Sequence, residues 1–178
     1  GTVRSANVIL AIVLLTFCYK EVATGYLFRT VAVEQINIPM VLLTVLLPLV
    51  LWCAASWGLT TLFEGKGKMK DIYVMTCYSM VPLIFTNIIT TLMSNCMVLA
   101  EQDFITFITY VGYVWMVALI FSGCMTIHDY QFGKNTLMIA FSIVGMGVML
   151  FLALLFATVG QKLIEFFVAL YEEAVLRM

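Results

Sequence analysis

The sequence predicts an all-α, polytopic integral membrane protein, a bundle of five transmembrane helices followed by a C-terminal amphipathic helix. Three observations carry that reading. Of 178 residues, 63% are hydrophobic and 11% charged, against roughly a quarter charged in an ordinary soluble domain, so a water-soluble globule would lack a polar surface. Mean hydropathy is +1.08. The charges also collect between five apolar runs, at about 5–28, 39–63, 72–97, 104–127 and 136–160, each long enough for the ~20 residues that a helix needs to cross hydrocarbon.

Lipid offers the backbone no hydrogen-bond partners, which selects helix for each run. The whole of 1–178 reads as one membrane domain. A net charge of −1 with so few ionic residues excludes a disordered tail, a coiled coil and a nucleic-acid partner. Gly1 in place of Met suggests a cut or processed chain with sequence upstream of it.

The first run is the least regular. Its clean apolar stretch is Ala6 to Tyr19, before Lys20 and Glu21, a length that a signal-peptide core would also have. No small-residue cleavage site follows, so a true span is preferred, with Lys20 and Glu21 near the headgroups, Tyr26 and Phe28 as interfacial aromatics and Arg29 beyond the hydrocarbon. The other four runs contain no Asp, Glu, Lys, Arg or His. Pro48 in the second and Pro82 in the third cannot donate to the carbonyls of Thr44 and Tyr78, so both helices should kink.

Counting Lys and Arg by side orients the bundle. Arg4, Lys66, Lys68, Lys70 and Lys134 share one side, Arg29, Lys162 and Arg177 the other, which predicts a cytosolic N-terminus and an outer C-terminus. After Gly160, residues 161–178 place Gln161, Lys162, Glu165, Glu172, Glu173 and Arg177 on one face of a helical wheel, with Leu163, Ile164, Phe167, Leu170, Tyr171 and Val175 on the other. That pattern predicts a helix lying along the interface; a plain extension of the fifth span is the alternative.

Candidate functional residues form two groups. The loop Glu64, Gly65, Lys66, Gly67, Lys68, Met69, Lys70, Asp71 combines two glycines that permit a tight return with three lysines. It lacks the GxxxxGK[ST] spacing of a phosphate-binding loop. Its plain reading is a topology determinant attracted to anionic headgroups, its sharper one a docking surface for a cytosolic partner or another membrane protein. Lys134 and His128, the only histidine, adjoin it on the same side, His128 as an interfacial anchor.

The second group is a polar stripe on the third span. Thr76, Asn87, Thr91 and Ser94 fall within a narrow arc, flanked by Ser79 and Thr90, and that face should turn inward. With Tyr78, Pro82 and Asn95 it outlines a candidate intramembrane path for a solute or lipid, although hydrogen bonding between helices is the favoured reading of a stripe that no ionisable group joins. The small-residue pairs Ala54/Gly58, Ala118/Ser122 and Ala153/Ala157 suit close helix contact.

The five cysteines each lie in an apolar run with no CxxC pairing, so they read as free buried thiols. No metal ligand set, catalytic triad or nucleotide fingerprint assembles at a common depth. The expectation is therefore a non-enzyme that needs no cofactor, with the lipid bilayer as its first partner and oligomerisation left open.

From Trp57 to Asn95 the chain reads WGLTTLFEGKGKMKDIYVMTCYSMVPLIFTNIITTLMSN. Trp57, Glu64-Gly65-x-Gly67, Tyr78-x-x-x-Pro82 and Ser94-Asn95 with Glu101 resemble the Ypt/Rab-interacting protein membrane domain, the Yip family. Trp115, His128-Asp129-Tyr130 with Lys134, and the stretch from Glu173 to Arg177 extend the resemblance, which looks most like the family's bacterial branch. Ser56 and Glu64 stand where that branch usually has Asn and Asp. The resemblance implies a five-span domain with a cytosolic N-terminus, in the cytoplasmic membrane if the bacterial likeness holds. Eukaryotic members bind lipid-modified Rab-type GTPases in membrane traffic. Short loops, the absence of a catalytic set and this resemblance together lead to the expectation of a scaffold or adaptor, with a transporter or channel, drawn from the polar stripe and the two prolines, as the alternative.

Overall fold

A computed structural model describes residues 1–29, 35–60, 62–63 and 65–176. Six α-helices form five membrane-length units: α1 (Val3–Ala23), α2 (Ile38–Thr60), α3 (Met69–Ser79), α4 (Val81–Ser94), α5 (Gln102–His128) and α6 (Phe132–Leu176). Among the described residues, the third unit, α3 with α4, is the only span mostly buried by protein and runs through the middle of the bundle. Its neighbours are α1, α2 and α5, while α6 packs on the outside, mainly along α2.

Local chemistry sets the helix ends. Thr2 Oγ1 accepts from the Ser5 N–H at 3.3 Å while Ser5 Oγ accepts from the Thr2 N–H at 3.2 Å, a reciprocal cap that starts α1. α1 stops at Ala23, short of the span read from sequence, and Tyr26–Phe28 form a separate 3-10 turn. Arg29 folds back so that Nη2 donates to the carbonyls of Val22 (2.6 Å) and Thr24 (2.9 Å), placing a cation on a helix C-terminus. Asp71 starts α3 by accepting from the Lys68 N–H at 3.4 Å.

The third span breaks where a kink is predicted. Met80 ends α3 and Pro82 occupies the first turn of α4, the position that tolerates a missing N–H. The Met80 N–H bonds back to Thr76 and Cys77. Pro48 stays inside an otherwise continuous α2.

The C-terminal segment differs from its sequence reading. No separate interfacial helix begins at 161; α6 is unbroken for 45 residues. Gly160 costs only about 1 kcal/mol in a helix interior, and Gln161, Lys162 and Leu163 after it are good helix formers. At 1.5 Å per residue α6 extends about 67 Å, more than the ~40–45 Å of a bilayer with its headgroups. The two-sided charge pattern persists on this extension, with Lys162 Nζ 2.8 Å from Glu165 Oε2. Arg177 lies outside the described residues.

Close helix contact also falls on other residues than the three small pairs. Gly58 has open space where a β-carbon would stand, and Ala118, Ser122, Ala153 and Ala157 are exposed. Instead α5 meets α4 at Gly112 against Thr86 and α3 at Gly123 against Met75, while α6 meets α2 at Gly145 against Ala55. Cys53, Cys77 and Cys124 are buried, Cys18 is half-buried and Cys96 is exposed, so burial fails for the last because α4 has ended before it.

Candidate functional site

At one end of the bundle two connections interlock. α5 closes at Asp129, whose left-handed backbone (φ 58°, ψ 41°) turns the chain while its N–H bonds to the Met125 carbonyl. This points His128 inward, where it is 1% exposed, and leaves Asp129 outside. The α2–α3 connection then lies over the histidine. The Gly65 N–H closes on the Thr60 carbonyl at 2.8 Å, and the Gly67 N–H donates to His128 Nδ1 at 3.3 Å.

The glycines serve space rather than turn geometry. No described glycine has positive φ. A β-carbon on Gly65 would stand 2.5 Å from His128 Nδ1 and also overlap the Tyr130 hydroxyl, and one on Gly67 would stand 2.7 Å from His128 Cε1. The imidazole stacks on Tyr130 with ring centroids 5.1 Å apart at 13°, and Lys134 Nζ lies 5.0 Å from the Tyr130 centroid, within cation–π range.

Lys66 completes the clasp on the outside, 2.8 Å from Asp129 Oδ2, with both side chains about three-quarters exposed (73% and 75%). The hydrogen bond, and then the charge, of Lys66 hold the Asp129 carboxyl below its usual range, and the same contact raises Lys66. Water screens a pair this exposed, so it adds orientation more than stability.

The structure thus brings Gly65, Lys66, Gly67, His128 and Lys134 together, and leaves Lys68 and Lys70 exposed beside them. Glu64 lies outside the described residues. His128 is corrected from an interfacial anchor to a buried post under the loop. Asp129 and Tyr130, which the sequence reading named only beside His128 and gave no role, hold the clasp; sixty-three residues separate Asp129 from Lys66, and no short-range signal marks such a pairing.

The polar stripe is buried at Thr76, Asn87, Thr91 and Ser94, as its inward orientation required. Its hydroxyls, however, donate to their own helices, Thr76 to Ile72, Thr91 to Asn87 and Ser94 to Thr91, each at 2.7 Å. What remains docks α1. Ser94 Oγ accepts from the Gly25 N–H at 2.9 Å. Asn95 Nδ2 donates to Ala23 (2.9 Å) and Thr91 (2.8 Å), and Lys20 Nζ reaches Asn87 Oδ1 at 3.5 Å. Lys20 therefore turns toward the bundle, where a charged head was expected at the headgroups.

Three cavities border these elements. An open cleft of about 750 Å³ between α3 and α5 runs from Lys66 and Asp71 past Tyr78 and Ser79. A mid-bundle cavity of about 360 Å³ includes Thr76 and Met80 in its wall. A groove of about 330 Å³ follows α1, α2 and α3 near Tyr73. Asn87, Thr91, Ser94 and Asn95 line none of the three, so the residues read as one path divide between a cleft, a cavity and a helix contact. Pro82 marks the break between them.

Comparison with known proteins gives one match. The family profile described as the Yip1 domain covers residues 5–155. No curated protein matches the chain, and no solved structure does.

Proposed function

The chain belongs to the Yip1 domain family of membrane proteins, and from that premise we propose that it is a non-enzymatic scaffold or adaptor, presenting a clasped surface at one membrane face. The observation that carries this reading is the pinning of the Gly65–Lys68 segment onto His128. An unrestrained loop serves as a linker; one whose backbone is held by a buried side chain presents its neighbours in a fixed array, which lowers the ordering cost of binding. Lys68 is the side chain so presented, with Lys70 exposed beside it in the first turn of α3. Their charge suits an acidic protein surface or anionic headgroups, each Lys near such a membrane being worth about 1 kcal/mol.

The lysine count supports a cytosolic position for this face and the N-terminus, with the C-terminus outside, and the likeness to the bacterial branch supports the cytoplasmic membrane. Transport along the third span finds less support, because the stripe's hydroxyls already bond to backbone.

Photo-crosslinking in native membranes tests the proposal. A crosslinker at Lys68 or Lys70 should give a discrete adduct that weakens when Gly67→Leu lifts the loop. Adducts no stronger than those from Val148, on the lipid-facing side of α6, would overturn it.

A further inference from the structure

We propose that the mid-bundle cavity holds one acyl chain of a bilayer phospholipid, which enters sideways between α2 and α5. Its floor is buried and apolar, formed by Leu49, Trp52, Met80 and Leu83. Thr44, Pro48 and Tyr113 line it from exposed positions and make the mouth. Pro48 and Tyr113 sit near the middle of their spans, so the mouth opens into hydrocarbon and what stands before it is lipid chain.

The cavity lies where the backbone of the third span is interrupted. Pro48 stands at the cavity wall inside a continuous α2, and the third span breaks at Met80 on the opposite wall. α2 and α5 scarcely touch, each being held by other helices, so rotamer changes cannot draw the walls together. An unfilled void in a packed interior forfeits stability in proportion to its volume, which favours an occupant.

Size and chemistry narrow that occupant. An apolar cavity of about 150 Å³ admits benzene; scaled from that, 360 Å³ takes a chain segment of about 14 carbons and is far too small for a helix of a second copy. The Thr76 hydroxyl is already donated to Ile72, so it asks nothing of a ligand. Met80, Met116 and Met146 contribute flexible thioethers to the wall, which adapt to a chain without a fixed shape.

Trp52 provides the readout, being only 9% exposed yet part of the floor. In the full chain with Trp57→Phe and Trp115→Phe, Trp52 is the sole indole. Reconstituted into phosphatidylcholine vesicles with chains dibrominated at mid-length, its emission should fall about twofold relative to unbrominated vesicles, because contact quenching needs a chain at the cavity floor. Thr44→Phe, which narrows the mouth, and Met146→Phe, which adds bulk to the wall, each made separately in that background, should restore the emission. Trp52 emission insensitive to bromine would overturn the proposal, as would quenching that neither variant reduces. A chain retaining only Trp115, exposed on α5, calibrates the full lipid-contact response.

Discussion

Gly67 and His128 meet across two connections: the Gly67 N–H donates to the imidazole Nδ1 at 3.3 Å, and any β-carbon at position 67 would stand 2.7 Å from Cε1 of the same ring. The contact assigns the neutral ring's proton to Nε2, which is buried and finds no acceptor among the described residues. The histidine thus supports the loop through one nitrogen, in a space that only glycine leaves open.

Gly67→Ala should destabilise the protein by about 1–3 kcal/mol, the usual cost of overpacking a filled interior. Thermal unfolding in detergent measures this. The double variant Gly67→Ala with His128→Ala should recover the part of the loss that comes from the ring, while the overlap of the methyl group with the Ile127 side chain remains. Additive losses would show that the two positions do not share that space.

Asp129 should titrate below an ordinary aspartate, and Lys66→Met should return it toward 3.8, the value without a partner. Carboxyl ¹³C chemical shifts follow it. The sign is fixed by linkage. A depressed carboxyl stabilises the folded state above its unfolded pKa and loses that contribution as pH falls through the lowered value. The raised Lys66 stabilises below its unfolded pKa and loses its contribution as pH rises through the higher one. The outer half of the clasp should therefore be intact across neutral pH and loosen only at the two extremes.

Gly25→Ala should be more damaging than Gly67→Ala. The new methyl group would overlap the Ser94 backbone carbonyl, and backbone cannot swing aside as a ring can. The expected loss is about 3 kcal/mol or more, with separation of α1 from α4 visible as faster hydrogen exchange at Gly25, whose N–H is held by Ser94 Oγ.

Continuity of α6 is open to direct measurement. Spin labels at Leu150 and Leu170 should lie about 30 Å apart along a straight helix. A clearly shorter distance in bilayers would mean that the segment after Gly160 bends onto the membrane surface.

The bundle was legible in the sequence because its cause is one-dimensional. Hydrocarbon excludes charge and unpaired backbone, so the places where charges stop, in four runs without a single ionic residue, mark where helices cross. The same local logic located Pro48 and Pro82, which cannot donate whatever surrounds them, and the inward face of Thr76, Asn87, Thr91 and Ser94, which lipid would reject. The small-residue pairs were misleading because spacing says that two helices can approach and not which helices do.

What the tertiary structure alone decided were the pairings across long separations. Lys20 faces Asn87, Gly25 faces Ser94, and Gly65 with Gly67 covers His128. Each depends on which helix end lies beside which, a matter of bundle packing that leaves no periodic trace. Solvent chose the spans residue by residue, whereas the clasp and the cavity arise only where distant segments share a volume.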